Sequence, residues 1–336
     1  YLAASLFGGY LKTLIKTVKL LPSVPPKWLW ESWNNYPFNI LHFQRSFLPS
    51  MDITIELVKR LIEEQFPQWK DREVRPVARS GHDNRTFHLG NTMAVRLPSG
   101  KNYAAQSAKE IRWLPYLQNH LDFPISKPVA AGKPTEYYPF PWSVNLWLEG
   151  NTLFEEDPLD QQLFAKDLAA ALKKLQAIDG SDGPRAGIHN FYRGGDLKVY
   201  HTETVEACRQ LADVLPVSRL SAIWDRCISS IYQDKEVWVH GDIAPGNILL
   251  QNHHFHALID FGVMAVGDPA CDYAMAWTYF DKKARKIFLD GLKEDMVDRA
   301  RGWALWKALI TYNDENPIPR ENAHFTIREI LLEETA

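Results

Sequence analysis

Residues 237–272 of this 336-residue chain read VWVHGDIAPGNILLQNHHFHALIDFGVMAVGDPACD. The stretch contains three short apolar runs separated by turn-forming residues, a pattern that predicts strand, loop, strand, tight turn, strand, loop and the start of a helix. The runs are 237–239, 247–250 and 255–259. Polar residues stand where these strands end, and rigid strand ends hold side chains in place while leaving them open to a cleft. The candidates for chemistry are therefore His240, Asp242, Asn247 and Asp260.

The spacing of three of these residues matches that of a kinase active site. Asp242 and Asn247 are five positions apart, as in the catalytic-loop motif H-R-D-x-x-x-x-N, and Asp260 begins a D-F-G element on the next hairpin. Phosphoryl transfer needs one carboxylate that accepts a hydrogen bond from the attacking hydroxyl, and hard oxygen ligands for Mg²⁺. Each residue alone would more often be a turn or cap residue, but the three in this order favour the kinase interpretation. We therefore predict that Asp242 is catalytic and that Asn247 and Asp260 bind the metal.

These motifs also carry a family resemblance. The stretch contains H-G-D at 240–242 with Asn247, I-D-F-G at 259–262, and G-D-P at 267–269 with Asp272. In this order they resemble the motifs of the aminoglycoside phosphotransferase family of small-molecule kinases. The resemblance implies an α+β fold of the bilobal protein-kinase-like type, with a small, mostly β N-lobe and a larger, mostly α-helical C-lobe. It also implies transfer of the γ-phosphate of ATP or GTP to a hydroxyl of a small molecule, with Mg²⁺ as cofactor.

The resemblance extends from about Met51 to the C-terminus and divides the chain into three parts. Residues 51–148 correspond to the nucleotide-binding N-lobe, and residues 149–336 to the C-lobe, which carries catalysis and substrate binding. Residues 1–50 lie outside the resemblance, and three lysines interrupt their apolar run too often for a membrane span of about 20 apolar residues. We interpret this extension either as a basic amphipathic helix that lies on a membrane or on the C-lobe, or, as we favour, as an adventitious segment upstream of a start at Met51.

The composition argues against some classes of protein but does not identify the function. The formal net charge of −3 argues against a nucleic-acid binder, which usually carries a basic stripe. The three cysteines, Cys208, Cys227 and Cys271, have neither paired nor metal-like spacing, so we expect no disulfide framework and a reducing, cytoplasmic location. The expected partners are a nucleoside triphosphate and a small-molecule hydroxyl acceptor.

A hairpin in the N-lobe is the candidate phosphate-binding loop. Two strand candidates, 74–78 and 86–89, are joined by R-S-G-H-D-N-R at 79–85. A glycine in such a loop lets the backbone approach phosphates with its N–H groups facing the anion. One glycine fits an ordinary hairpin equally well, but the position of the loop resembles that of the family's nucleotide loop. The resemblance therefore implies nucleotide contacts at Ser80, Gly81, His82 and Asn84.

The next strand candidate, 93–97, carries Arg96 where kinases place their phosphate-binding lysine. Fourteen residues later, Glu110 lies in a helix-like run and is placed to pair with Arg96, as the helix αC glutamate pairs with that lysine in kinases. Arginine departs from the usual pattern, although it supplies a permanent charge and a planar fork suited to phosphate. An ordinary surface ion pair is the alternative interpretation.

The run S-V-N-L-W-L at 143–148 reads as the last N-lobe strand leading to the hinge between the lobes. The resemblance implies that backbone groups from Leu146 to Leu148 bind the edge of the nucleotide base. Backbone contacts leave no residue-type signature, so this expectation comes from the resemblance alone.

Other polar residues are predicted to be structural. Asp52 is placed to cap a helix that Pro67 ends. Asp268 is placed to cap a second helix that starts at Pro269, with Asp272 near the positive end of its dipole.

Two clusters near the catalytic stretch and the C-terminus have competing interpretations. The histidines at 253, 254 and 256 fit a solvated hairpin better than a metal site, because strand alternation points them to different faces. The acidic residues Glu329, Glu333 and Glu334 could form a pocket for a cationic acceptor or a solvated helix face, and we favour the latter.

The leading prediction is a small-molecule kinase, with an aminoglycoside or related antibiotic among its candidate acceptors. A protein kinase is the first alternative. Only eight positions separate Asp260 from Asp268 and no A-P-E element follows, which leaves no room for the activation segment that docks peptides. A nucleotide-binding pseudokinase is the second alternative, and the presence of all three predicted active-site residues disfavours it.

Overall fold

The computed structural model describes residues 52–78 and 83–333. Predictions for the N-terminal extension, for Ser80, Gly81 and His82, and for Glu334 lie outside the described residues. No helix in the described part of the chain combines the length and the hydrophobicity that a membrane span requires.

A five-stranded antiparallel sheet forms the N-lobe, with the strand order β1-β2-β3-β5-β4. Its strands are β1 (Val74–Pro76), β2 (Asn84–Leu89), β3 (Met93–Pro98), β4 (Pro128–Gly132) and β5 (Trp142–Leu146). All six residues of the central strand β3 are buried, as its nearly continuous apolar run leads one to expect. Arg96 is the charged exception in this run, so its side chain starts inside the lobe.

Two helices accompany this sheet, α1 (Ile55–Gln65) and α2 (Lys101–Gln118). Val58, Leu61 and Ile62 form one face of α1 at helical spacing and are buried in a core shared with the strands. The C-terminal half of α2 instead contributes Leu114 and Leu117 to the larger core of the C-lobe. Helix α2 therefore belongs to both lobes.

The C-lobe is mostly helical and is built around its own apolar core, which includes Trp238, Phe261 and Trp277. Its helices are α3 (Gln161–Ala177), α4 (His201–Gln210), α5 (Val217–Cys227), α6 (Met275–Thr278), α7 (Lys282–Phe288), α8 (Glu294–Thr311) and α9 (Pro317–Glu333). The mixed α+β architecture with two separate cores confirms the predicted fold class.

The catalytic stretch forms two small antiparallel sheets on this helical lobe. One pairs β6 (Asn151–Thr152), β8 (Ile248–Gln251) and β9 (His254–Leu258), and the other pairs β7 (Val237–Val239) with β10 (Ala265–Gly267). The three predicted strands of the stretch are confirmed to within one residue. Strand β10 was not predicted.

The prediction that Asp52 caps the first helix is wrong. Thr54 is the N-cap residue of α1, and its hydroxyl accepts a hydrogen bond of 3.2 Å from the backbone N–H of Leu57. Threonine and aspartate are both good caps, so the pattern alone does not decide between two positions this close. The helix ends at Gln65, before Pro67, as predicted.

This correction can be tested by replacing each candidate cap. We expect Thr54→Ala to lower the free energy of unfolding by about 1 kcal/mol, because the N–H of Leu57 loses its acceptor. Asp52→Ala is the matched control and should change stability by less than about 0.5 kcal/mol. Urea unfolding of both variants measures the difference, and a larger loss in Asp52→Ala would restore the original assignment.

Candidate active site

The loop between β7 and β8 brings Asp242 and Asn247 together. The side-chain N–H₂ of Asn247 donates to the backbone carbonyl of Asp242 at 2.9 Å and to its carboxylate at 2.8 Å. A short 3₁₀ turn, Pro245–Asn247, closes the loop and places both side chains on one side of it. The Asp242 side chain is exposed, so its carboxylate remains accessible to a ligand.

A buried carboxylate fixes the start of this loop. The backbone N–H groups of His240 and Gly241 donate to the two oxygens of Asp272, at 2.8 and 2.7 Å. The imidazole of His240 is fully buried, lies 3.0 Å from the carbonyl of Ile259 through Nε2, and accepts from the N–H of Asp242 through Nδ1 at 3.2 Å. Because Nε2 must donate to a carbonyl, Nδ1 is the acceptor. Asp272 and His240 are thus structural supports of Asp242.

Gly241 has a backbone conformation that other residues rarely adopt. Its φ is +83°, and a Cβ atom at this position would lie 2.6 Å from the carbonyl oxygen of Val263. The loop therefore requires glycine between His240 and Asp242, because a side chain would push the loop away from the segment that follows D-F-G.

The predicted pair of Arg96 and Glu110 is present, and it includes a third residue. The guanidinium of Arg96 donates to Glu110 at 2.8 Å and to Asp260 at 2.6 Å. The side chains of Arg96 and Glu110 are 10% and 3% exposed, so the alternative of an ordinary surface ion pair is wrong. Asp260 has a left-handed backbone with φ of +63°, which turns its carboxylate towards Arg96.

The ion pair of Arg96 and Asp260 favours the charged form of both residues. Desolvation would raise the pKa of Asp260, but the charge and the hydrogen bond of Arg96 outweigh it and lower the pKa below its usual value. Burial alone would lower the pKa of Arg96, whereas the two carboxylates raise it. Asp260 is therefore an ionised carboxylate at the floor of the cleft.

Hard oxygen ligands for a divalent cation come from two residues. Asn247 uses its amide N–H₂ towards Asp242, which leaves its amide oxygen as an acceptor, and Asp260 has one carboxylate oxygen that Arg96 does not contact. In the described part of the chain, no group of three or more His, Cys, Asp or Glu side chains is arranged to hold a metal. The donor set suits Mg²⁺, which usually takes one or two protein oxygens and completes its shell with phosphates and water.

The expectation for the hinge is partly wrong. The N–H of Leu146 donates to the carbonyl of Lys127 at 3.0 Å, and the N–H of Trp147 donates to the carbonyl of Thr92 at 2.9 Å. These two backbone N–H groups are therefore already hydrogen-bonded within the lobe and cannot donate to a nucleotide base. Contacts through Leu148 or through the carbonyls of this segment stay a prediction.

The nucleotide-loop residue Asn84 begins β2, and its side chain is only 4% exposed. Its neighbour Asp83 accepts a hydrogen bond of 3.2 Å from Gln106 of α2. Gln106 also lies against Gly262 of the D-F-G element, where a Cβ atom would be 2.8 Å from its side-chain oxygen. Sequence reasoning missed Gln106 because both contacts are distant in the chain.

Lys109, the neighbour of Glu110, is a second residue that sequence reasoning missed. It is 8% exposed, and its ammonium group donates to Nδ1 of His189 at 3.2 Å. Burial lowers the pKa of Lys109 to about 7. This contact joins α2 to the loop that follows α3, and a lysine inside a helical pattern gives no sign of such a partner.

The segment after D-F-G is short, and its residues are held by strand pairing and by an ion pair. Strand β10 pairs with β7, and Asp268 then caps a 3₁₀ turn at Pro269 and binds the guanidinium of Arg299 at 2.7 Å. The structural role predicted for Asp268 is confirmed. No long activation segment exists between Asp260 and Asp268.

The two clusters with competing interpretations are settled by their contacts. Asn252 and His253 form the turn between β8 and β9 with φ of +53° and +64°, which confirms the hairpin. The solvated-face interpretation of the C-terminal carboxylates is wrong, because Glu329 binds Arg285 at 2.6 Å and Glu333 accepts from Trp277 at 2.6 Å. These two carboxylates hold helices together and are not available as an acidic pocket.

Comparisons with known proteins agree with this geometry. The model of a family described as the phosphotransferase enzyme family matches residues 73–309. The chain is similar to the GDP and kanamycin complex of APH(2″)-IIIa, with 17% identity and a TM-score of 0.62 over 82% of this chain and 98% of that one. It is also similar to the streptomycin–ATP complex of APH(2″)-IIa, with 16% identity and a TM-score of 0.53 over 85% of this chain and 97% of that one. A third similar structure is macrolide 2′-phosphotransferase MphH from Brachybacterium faecium, with 17% identity and a TM-score of 0.52 over 81% of this chain and 97% of that one. At these identities the likeness shows the fold. No curated protein sequence matches the chain.

The requirement for glycine at 241 can be compared with a second glycine in the same loop. We expect Gly241→Ala to lower the free energy of unfolding by at least ~2 kcal/mol, because alanine is strained at this φ and would meet a backbone carbonyl. A Cβ at Gly246 would meet only the ring of Phe154 at 3.2 Å, so Gly246→Ala should cost less than about 1 kcal/mol. Equal losses in chemical denaturation would contradict the assignment.

The contact between Arg96 and Glu110 can be tested by a double-mutant cycle on stability. We expect Arg96→Ala to cost about 3–5 kcal/mol, because it leaves the buried carboxylate of Glu110 without its partner, and Glu110→Ala to cost less, because Arg96 keeps its bond to Asp260. The double variant should cost much less than the sum, by on the order of 1–3 kcal/mol.

The exposed pair of Arg209 and Glu206, with side chains 72% and 48% exposed, is the control for this cycle. Its coupling should stay below about 0.5 kcal/mol. Additive losses at Arg96 and Glu110 would show that they do not act as one unit.

Proposed function

The chain belongs to the phosphotransferase enzyme family, and we propose that it moves the γ-phosphate of ATP or GTP to a hydroxyl group of a small molecule. The observation that supports this proposal is the contact between two pairs of residues: His240 links the loop of Asp242 and Asn247 to Ile259, and the next residue, Asp260, binds Arg96. These two pairs supply the groups that phosphoryl transfer requires.

Each group has one role in the proposed reaction. Asp242 accepts a hydrogen bond from the acceptor hydroxyl, orients its oxygen towards the γ-phosphorus and takes its proton as the new bond forms. Asn247 and Asp260 hold Mg²⁺, which neutralises the phosphate charge when bound. Arg96 contacts the phosphates while Glu110 and Asp260 fix its orientation.

The remaining nucleotide contacts are assigned by position. Ser80, Gly81 and His82 precede β2 in the sequence, and Asn84 is its first residue. Leu148 and the carbonyls near Leu146 lie where the base would meet the hinge. The structural neighbours hold GDP in one case and ATP in another, so both donors belong in the assay.

The acceptor is a small molecule with an alcohol group. Aminoglycosides and macrolides are candidates because the similar structures include a kanamycin complex, a streptomycin complex and a macrolide phosphotransferase. The short segment between Asp260 and Asp268 argues against a peptide acceptor, since protein kinases dock peptides on the activation segment that this chain lacks. The three cysteines are free and buried, which supports a cytoplasmic location.

An ADP- or GDP-release assay with a panel of acceptors tests the proposed activity. Wild-type protein with Mg²⁺ should release nucleoside diphosphate faster with at least one hydroxylated acceptor, and mass spectrometry should find that acceptor phosphorylated. A protein that binds nucleotide but phosphorylates no member of a panel of aminoglycosides, macrolides, amino alcohols, sugars and hydroxy acids would support the pseudokinase alternative.

Two substitutions separate catalysis from metal binding. We expect Asp242→Asn to lower kcat by about 10²- to 10⁴-fold while nucleotide still binds, because the amide cannot take the proton of the hydroxyl. Asp260→Ala should weaken Mg²⁺-dependent nucleotide binding and turnover together, because the cation loses a carboxylate ligand. Near-normal turnover in Asp242→Asn, or unchanged Mg²⁺ dependence in Asp260→Ala, would refute the corresponding role.

A further inference from the structure

A loop that follows α3 brings an arginine to the catalytic loop. Phe191, Tyr192 and Gly194 all have left-handed backbones, with φ of 54°, 54° and 80°. Left-handed conformations cost energy at the two aromatic residues and persist only where surrounding contacts hold them, which is common at functional sites. The buried side chain of Asn190 holds this loop by donating to the carbonyls of Arg193 at 2.7 Å and Val263 at 3.1 Å.

The side chain of Arg193 starts beside Gly241, the residue before Asp242. A Cβ atom at Gly241 would lie 3.1 Å from Cβ of Arg193, and Gly241 directly precedes Asp242. Kinases with the H-R-D motif carry an arginine at the position of Gly241. Here an arginine from a different part of the chain starts beside the same loop.

The guanidinium of Arg193 lies over an aromatic shelf formed by Trp303 and Trp306. Its central carbon is 5.1 Å from one ring centroid and 4.9 Å from the other, and Tyr200 stacks on Trp306 at 3.8 Å. Trp303 and Trp306 are 2% and 5% exposed, so the shelf is rigid. Arg193 itself is partly exposed, which leaves its outer face open to a ligand.

Two hydrogen-bond donors in this cluster have no acceptor. Within residues 52–78 and 83–333, no carboxylate, carbonyl or hydroxyl oxygen accepts from the guanidinium of Arg193, and the buried indole N–H of Trp303 has no partner either. The nearby carboxylates accept hydrogen bonds from other groups. Glu203 accepts from the indole of Trp306 at 2.8 Å, and Asp272 accepts from the two backbone N–H groups of the catalytic loop.

We propose that Arg193, supported by Trp303, binds an anionic group of the acceptor, so that the preferred acceptor carries a carboxylate or a phosphate besides its reacting hydroxyl. This inference rests on the proposed phosphotransferase function. A carboxylate or phosphate matches the planar fork of arginine and would satisfy donors that otherwise remain unpaired in a partly desolvated site. A polycation would place positive charge against Arg193, and Glu329 and Glu333 are not free to compensate it.

Acceptor sets of equal size and different charge test the inference. The three-carbon set is glycerate (anionic), glycerol (neutral) and serinol (cationic). The six-carbon set is gluconate (anionic), sorbitol (neutral) and glucosamine (cationic). Kanamycin represents the polycations. We expect the wild-type protein to show its highest kcat/KM with an anionic acceptor. Arg193→Gln should lower that kcat/KM by roughly 10- to 100-fold, mainly through KM, because a charged hydrogen bond is lost. Arg193→Lys should keep part of it.

The control is Arg185→Gln, in the same loop, where an exposed arginine pairs with Glu236 and should not affect acceptor choice. Trp303→Phe keeps an aromatic ring beneath Arg193 but removes the N–H, and should raise KM for the anionic acceptor without altering preference among neutral ones. Melting temperatures establish that each variant is folded.

The outcomes separate this inference from the function on which it rests. The protein could instead phosphorylate neutral or cationic acceptors, with a charge preference that is the same in the wild type and in Arg193→Gln. That result would overturn the inference and leave the phosphotransferase function intact. A change only in the response to added inorganic phosphate would also overturn it, since the bound anion would then not belong to the acceptor. Absence of turnover with every acceptor would overturn both.

Discussion

The buried guanidinium of Arg96 is the interaction on which the active site depends. It contacts Glu110 and Asp260, and thereby joins the central strand of the N-lobe sheet, helix α2 and the D-F-G hairpin of the C-lobe. Removing a charge from water is costly unless hydrogen-bonded partners of opposite charge replace the solvent, so the three residues are stable only together. This mutual dependence fixes the position of the Asp260 carboxylate relative to the strand that carries Arg96. Nucleotide binding, which places further negative charge near Arg96, therefore acts on an arrangement that already exists.

A second buried group, the carboxylate of Asp272, holds the start of the catalytic loop. Asp272 accepts from two consecutive backbone N–H groups, and these would otherwise be buried without partners where the chain turns from β7 into the loop. With His240 bound to Ile259 and Gly241 lying against Val263, the loop is attached on both sides to the D-F-G hairpin. Asp242 and Asp260 are thus held at a fixed separation by backbone contacts, independent of any ligand. The cost is a strict requirement for glycine at position 241.

Sequence reasoning recovered what is local or what recurs at fixed spacing. The strands around Asp242 and Asn247 follow from alternating apolar runs, and the pair of Arg96 and Glu110 follows from a strand and a helix separated by a short connection. It failed where the partner lies far away in the chain. The bond from Arg96 to Asp260 spans 164 positions, and those from Gln106 to Asp83 and from Lys109 to His189 join elements whose packing no local pattern describes. The C-terminal glutamates were misread for the same reason, since a carboxylate on a helix looks solvated until Arg285 and Trp277 are placed beside it.

The loop after α3 is bound to the segment that follows D-F-G. Three hydrogen bonds connect it to the segment behind D-F-G: Val266 donates to Pro184 at 2.7 Å, Asp268 donates to Gly194 at 2.7 Å, and Asn190 donates to Val263 at 3.1 Å. The segment from Asp260 to Asp268 is therefore short and hydrogen-bonded to this loop. In the proposed acceptor site the contacts come instead from the loop itself, and α8 supplies the shelf beneath Arg193. The proposed chemistry and the proposed acceptor recognition therefore lie in different parts of the chain. The 237–272 stretch carries Asp242, Asn247 and Asp260, whereas the chain between α3 and β7 carries Arg193.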